Sequence, residues 1–265
     1  VLGAAMLATG AVSGVLAGLL GIGGGIVIVP VLDAVLAFLG VDAAIRMHIA
    51  VATSLATIVP TSIASSRAHY RRDSLDLDLA RRWAAFILFG ALLGAWIAAG
   101  VHSDVLAMVF AVVAFLMALK LLLPVEGRTL GDQVPTSTPM LLVPTGIGAV
   151  SSMMGLGGGT LSVATLTLFR QPIHRAVGTA SLFGLFISLP GTVGFVWAGL
   201  GDPRLPAGSF GFVNLLGFAL ISPMTVLFAP LGAALAHRLT QRQLSMLFGL
   251  FLLGMSVRMA WKAFY

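Results

Sequence analysis

Apolar residues in this sequence run in long blocks rather than in alternating stripes. No Asp, Glu, Lys or Arg occurs in residues 1–32, 47–66, 83–103, 133–169, 176–201 or 205–237. Each block reaches the length of about 20 residues that a helix needs to cross the hydrocarbon core of a bilayer. The pattern predicts helices over 1–20, 26–39, 43–66, 83–100 and 103–123, then over 139–154, 160–169, 174–199, 209–236 and 241–264. Two glycine-rich breaks interrupt it, at 21–25 and 155–159. Pro223 and Pro230 are expected to kink the helix over 209–236, because proline removes a backbone donor and clashes with the preceding turn.

The element list contains itself twice. Gly18-Leu-Leu-Gly-Ile-Gly-Gly-Gly25 returns as Ser152-Met-Met-Gly-Leu-Gly-Gly-Gly159, at an offset of 134. His48-x-Ala50-Val51-x-Thr53 returns as His174-x-Ala176-Val177-x-Thr179, at an offset of 126. Gly94 and Gly232, Leu106-x-x-x-Phe110 and Leu244-x-x-x-Phe248, and Lys120 and Arg258 follow at an offset of 138. One such match is ordinary among apolar segments; an ordered series is not. The reading is two homologous halves, 1–123 and 139–265, joined by a polar linker at 124–138. Small residues spaced by four, at Gly10, Gly14 and Gly18 and at Gly90, Gly94 and Ala98, let helices approach closely in lipid.

Composition narrows the class. Of the 265 residues 58% are hydrophobic and 9% charged, with a mean hydropathy of +1.05. A soluble domain carries about 25% charged residues, so a water-soluble globule, a disordered chain and a nucleic-acid-binding module are all excluded. The expected class is an all-α polytopic membrane protein whose surroundings are the lipid bilayer. The net charge of +6 then reads as Lys and Arg kept on the cytoplasmic side. Placing the cluster Arg67, Arg71, Arg72, Arg81 and Arg82 inside, and treating each broken element as a re-entrant hairpin, inverts the second half. That arrangement puts 11 basic residues inside and 4 outside, against 10 and 5 if each broken element crosses once. The counts barely separate the two; inversion is preferred because inverted repeats are a common transporter plan.

Candidate chemistry lies first at the breaks. Irregular backbone within the bilayer is tolerated where it is buried in protein or lines a wet cavity. Two breaks at equivalent places point to a binding site between the halves. The helices that follow direct free N–H groups and positive dipole ends toward it, which favours an anion. Gly23, Gly24 and Gly25 with Gly157, Gly158 and Gly159 are the candidate backbone ligands. The plainer alternative is tight helix crossing. Thr53, Ser54 and Thr57, with Thr179, Ser181 and Ser188, are candidate hydroxyl donors, unless they bond back to the preceding helical turn. Asp33, His48 and His174 are candidates for proton coupling; an interfacial position is the simpler account of the histidines. No G-x-x-x-x-G-K-[ST], HExxH or cysteine is present, so ATP hydrolysis, zinc-protease chemistry and thiolate metal sites are not expected. Neither an enzyme activity nor a cofactor is anticipated.

Gly14-x-x-x-Gly18-x-x-Gly21-Ile-Gly-Gly-Gly25 with Pro30 beyond it, and Ala50-Val51-Ala52-Thr53-Ser54-Leu55, resemble the TauE/SafE family of sulfite and organosulfonate exporters. The second copies, Gly155-Leu-Gly-Gly-Gly159 and Ala176-Val177-Gly178-Thr179-Ala180-Ser181, and Gly90-x-x-x-Gly94 extend the resemblance over nearly the whole chain. It implies a secondary transporter of small anions, often sulfite or sulfonates, in the bacterial inner membrane, working in export. The second copy lacks the proline after the break, so the two halves need not contribute equally. An anion channel or a non-transporting membrane scaffold on the same frame is the alternative.

Overall fold

A computed structural model of the chain describes residues 2–20, 24–123, 141–236 and 241–264. The linker expected at 124–138 and Gly23 lie outside the described residues. Helices α1 (Leu2–Leu20), α2 (Gly25–Phe38), α3 (Ala43–Tyr70), α4 (Leu77–Gly100) and α5 (Ser103–Leu122) come first. They are followed by α6 (Leu142–Met153), α7 (Gly159–Leu168) and α8 (Ile173–Gly199), a two-stranded hairpin of β1 (Ser209–Phe210) and β2 (Val213–Asn214), then α9 (Leu215–Ala236) and α10 (Gln241–Phe264).

Three boundaries differ from the expected ones, each for a local reason. The segment 209–214 was expected to be helical. It is instead the hairpin, with Ser209 opposite Asn214 and Phe210 opposite Val213, entered through Gly208 and turned at Gly211, both at positive φ. Helix α4 starts at Leu77 rather than 83, because the Asp76 carboxylate accepts the Leu79 N–H at 3.0 Å and caps it there. Arg81 and Arg82 therefore sit on the helix, since charge alone does not stop one. Helix α3 runs on to Tyr70, with Arg67 and His69 in its last turn, where cations suit the negative dipole end.

Length sorts the helices into two kinds. Among the described residues, Ala43–Tyr70, Leu77–Gly100, Ser103–Leu122, His174–Gly199 and Met246–Ala263 are long and apolar enough to cross a membrane. With large apolar side chains such as Phe89, Trp96, Phe115, Trp197 and Trp261 exposed on the outside, they make a multi-pass membrane protein. The 12-residue α6 and 10-residue α7 are different. At 1.5 Å per residue they reach about 18 and 15 Å, roughly half of a ~30 Å hydrocarbon layer.

Helix α3 is the centre. Met47, Ile49, Val51, Leu55 and Ile58 are all fully buried, so no face of its middle meets lipid. It packs against α8 in the opposite sense: Leu55 lies beside Gly191, and Ser62 beside Gly184. Around this pair, α1 packs on α9, α6 on α4 and α5 on α10. The small-residue spacing serves those outer contacts. A Cβ at Gly14 would stand 2.7 Å from the Thr225 carbonyl oxygen, and one at Gly148 would stand 2.4 Å from that of Ile87. Gly14 and Gly148 correspond at the sequence offset of 134, and Ile87 and Thr225 at 138.

Close approach at Gly148 makes a contrast within one helix. Gly148→Ala is expected to lower stability by about 1–3 kcal/mol through overpacking against a backbone that cannot yield. Gly146→Ala, where a Cβ meets nothing within 4 Å, should be neutral or gain up to ~1 kcal/mol. Thermal unfolding of the detergent-solubilised protein compares them; equal effects would mean that α4 and α6 are not in backbone contact.

Candidate functional site

The two glycine breaks meet each other. Gly24 (φ 73°) and Gly158 (φ 67°) occupy the left-handed region immediately before α2 and α7, a conformation that glycine adopts without penalty. A Cβ at Gly25 would lie 2.4 Å from the Gly155 carbonyl oxygen and 3.0 Å from Ser54 Oγ. Ser54, on α3, donates to that same Gly155 carbonyl at 2.8 Å. On the other side Gly157 abuts Ile58 and Gly184, and Gly158 lies under the δ-methyl of Ile187. Gly24, Gly25, Gly157, Gly158 and Gly159 are thus buried together between α3 and α8, with Ser54 among them.

The threonines are elsewhere. Thr53 Oγ1 accepts the Asn214 N–H at 2.9 Å, while Asn214 Oδ1 accepts the Gly217 N–H and caps α9. Thr179 Oγ1 accepts the Asp76 N–H at 3.0 Å, and Asp76 caps α4. Each threonine therefore holds the residue that starts a helix of the other half of the chain, and the two stand at opposite ends of the α3–α8 pair. Ser181 donates back to the Gly178 carbonyl and Thr57 to that of Ser54, the local alternative weighed from sequence.

The ionisable candidates separate too. His48 is buried, with Nε2 2.9 Å from the Ala98 carbonyl oxygen and its ring 5.1 Å from that of Phe212. It fastens the end of α4 to α3. His174 is exposed at the start of α8. Asp33 is buried on α2 and pairs with Lys262 of α10. One turn away, Arg258 donates to the Pro30 carbonyl at 3.1 Å. Lys120 of α5 does the same to the Ala164 carbonyl of α7, also at 3.1 Å. Each short helix after a break is thus held by a cation from the last helix of the opposite half.

A feature missed from sequence is a set of hydroxyls without a hydrogen-bond partner. Ser151, Ser152, Thr160, Ser162 and Ser188 are buried around the second break in this state. Burying an unpaired hydroxyl costs about 1–3 kcal/mol on mutational scales. Only Ser188 stood out beforehand, because a serine's partner cannot be read from its spacing.

A family model described as the sulfite exporter TauE/SafE matches residues 6–259. The chain belongs to that family. Among TauE/SafE relatives, a "Probable membrane transporter protein" of Haemophilus influenzae is 33% identical over 97% of each chain. The "Probable membrane transporter protein YunE" of Bacillus subtilis is 24% identical over 98% of each. One from Xylella fastidiosa strain Temecula1 is 26% identical over 97% of this chain and 94% of its own. No solved structure matches the chain.

Two sets of variants test these roles. Thr53→Val leaves the buried Asn214 N–H without an acceptor and should cost about 1–3 kcal/mol in unfolding measurements; Thr179→Val, whose partner Asp76 lies in a half-buried loop, should cost less than ~1 kcal/mol. For the ion pair, Asp33→Asn strands Lys262, whose side chain is 20% exposed. The expected loss is about 1–3 kcal/mol, below the ~3–5 kcal/mol of a fully buried pair. The double variant Asp33→Asn/Lys262→Met should recover most of it, and no recovery would show that the two charges are not coupled.

Proposed function

We propose that this TauE/SafE protein is a secondary transporter, moving small anions such as sulfite or organosulfonates outward across the bacterial inner membrane. The observation that carries the reading is the meeting of the two glycine breaks between α3 and α8, where Gly25 lies against the Gly155 carbonyl. Broken helices that meet at the centre of a bundle are the plan of transporter binding sites, and half-helix N-termini aimed there favour anions. The family and the printed names of the relatives point to transport in the same way.

The reading includes an inverted repeat. Its support is reciprocity: Thr53 with Asn214 answers Thr179 with Asp76, and Arg258 with Pro30 answers Lys120 with Ala164. The antiparallel packing of α3 on α8, which correspond in sequence, fits a two-fold axis in the membrane plane. Access then alternates as one broken hairpin and its supports rock against the other. With the cell interior negative, an anion leaves downhill by about 2.3 kcal/mol per charge per 100 mV. Uniport therefore requires no coupling carboxylate, consistent with Asp33 being engaged by Lys262.

Flux in proteoliposomes is the test. Uptake of sulfite, methanesulfonate and acetate should saturate and show trans-stimulation in the wild type. Gly24→Val and Gly158→Val should lose tenfold or more. Gly40→Ala, a positive-φ glycine with nothing within 4 Å, imposes similar backbone strain away from the breaks and should keep transport. Wild-type rates in both break variants would remove the site from the breaks. Conductance without saturation would make the protein a channel, and movement of Na⁺ alone would end the anion reading.

A further inference from the structure

The two breaks are equivalent in backbone but not in side chains. At the offset of 134, Ser151, Ser152, Thr160 and Ser162 correspond to Ala17, Gly18, Ile26 and Ile28. In sequence, the second break thus carries four hydroxyl residues at positions where the first has Ala, Gly or Ile, while Ser188 keeps a serine counterpart in Ser62 at the offset of 126. Ser54, which reaches the second break from α3, corresponds at the offset of 126 to Ala180 and has no hydroxyl opposite number.

These hydroxyls converge from three helices. Ser151 and Ser152 end α6, and Thr160 lies in the first turn of α7. A Cβ at Gly158 would be 3.4 Å from Ser151 Oγ, and one at Gly191 on α8 would be 2.9 Å from Ser152 Oγ. Ser188 lies on α8 between Ile187, which covers Gly158, and Gly191, which faces Ser152. The side-chain oxygens of Ser151, Ser152 and Ser188 are fully buried, and all four hydroxyls lack a partner.

Several carbonyls at this break are already engaged. The Val150, Ser151 and Ser152 carbonyls take the N–H groups of Met154, Leu156 and Gly155, and the Gly155 carbonyl takes the Ser54 hydroxyl. The Gly158 carbonyl takes the Ser162 N–H. Beside them stand unpaired hydroxyls and the opening N–H groups of α7, which no helix can satisfy internally, so donors are gathered here without a fixed charge. That arrangement suits a compact anion with several oxygens.

We propose that the α6–α7 break alone grips the oxygens of the transported anion, through Ser151, Ser152, Thr160 and Ser188 and the first N–H groups of α7. The proposal rests on the transport reading above and makes the first break a support for the second. The binding atoms are neutral, so the ligand enters without displacing a buried lysine or arginine.

The test uses the purified full chain, with sulfite, methanesulfonate and acetate as probes. Ser151→Ala, Ser188→Ala and their double variant should unfold at the same temperature as the wild type or higher when ligand-free, because each removes an unpaired polar atom. The same variants should lose the anion-induced rise in melting temperature. They should also raise the KM for methanesulfonate in proteoliposomes, about tenfold in the double variant. Ser13→Ala, another buried unpaired hydroxyl but on α1, should leave KM within twofold. Wild-type KM in the double variant or an equal effect of Ser13→Ala would overturn the proposal while leaving anion transport standing. A wild-type protein that moves none of the probes would overturn both.

Discussion

A peptide chain that stops being helical inside an apolar layer must find new partners for the groups it frees. In this protein that requirement falls on residues 155–159 and on the stretch before α2, and the rest of the bundle is arranged to meet it. Water cannot serve there, so protein must. Ser54 supplies a hydroxyl to the Gly155 carbonyl, and glycines at 25, 157 and 184 bring α2, the second break and α8 near enough to exclude lipid. The all-round burial of the middle of α3 follows from this: a helix that serves a break on its flank has no face left for the bilayer.

Holding the breaks in place falls to reciprocal ties. The caps of α4 and α9 are fixed by Thr179 and Thr53, and the short helices by Lys120 and Arg258. In each case the donor and acceptor belong to opposite ends of the chain, so neither end completes its own structure. Asp33 with Lys262 adds an ion pair to α2. Helix α2 also carries Pro30 where α7 has Ala164. The first short helix thus carries an ion pair and a proline, and the second carries buried, unpaired hydroxyls.

Much of this was legible in the sequence because it depends on composition and spacing. The long uncharged blocks, the breaks and the matched positions at offsets of 134, 126 and 138 locate the helices of the structure to within a few residues in most cases. The misses have physical causes. Arg81 and Arg82 suggested a loop, yet Asp76 had already started α4, because a cap is one residue and weighs little in any hydropathy window. The hairpin at 209–214 depends on Gly208 and Gly211 turning an apolar segment that otherwise reads as helix. Thr53 and Thr179 were matched as equivalents, but spacing cannot say that their partners are backbone N–H groups more than 100 residues away.

The unpaired serines carry the same lesson further. In lipid a hydroxyl normally bonds back to its own helix, as Thr57, Thr145, Thr165 and Thr192 do. Ser151 and Ser152, where α6 is ending, make no such bond, and the carbonyls of Val150, Ser151 and Ser152 are taken by the turn. A helix end that folds back on itself uses up acceptors, while the helix start beyond it leaves donors free. Two half-helices joined by a glycine turn therefore generate a donor surplus at their junction from backbone geometry alone, and serines added there enlarge it. The same turn that removes the chain from helical order prepares the place where an anion can stand in for water.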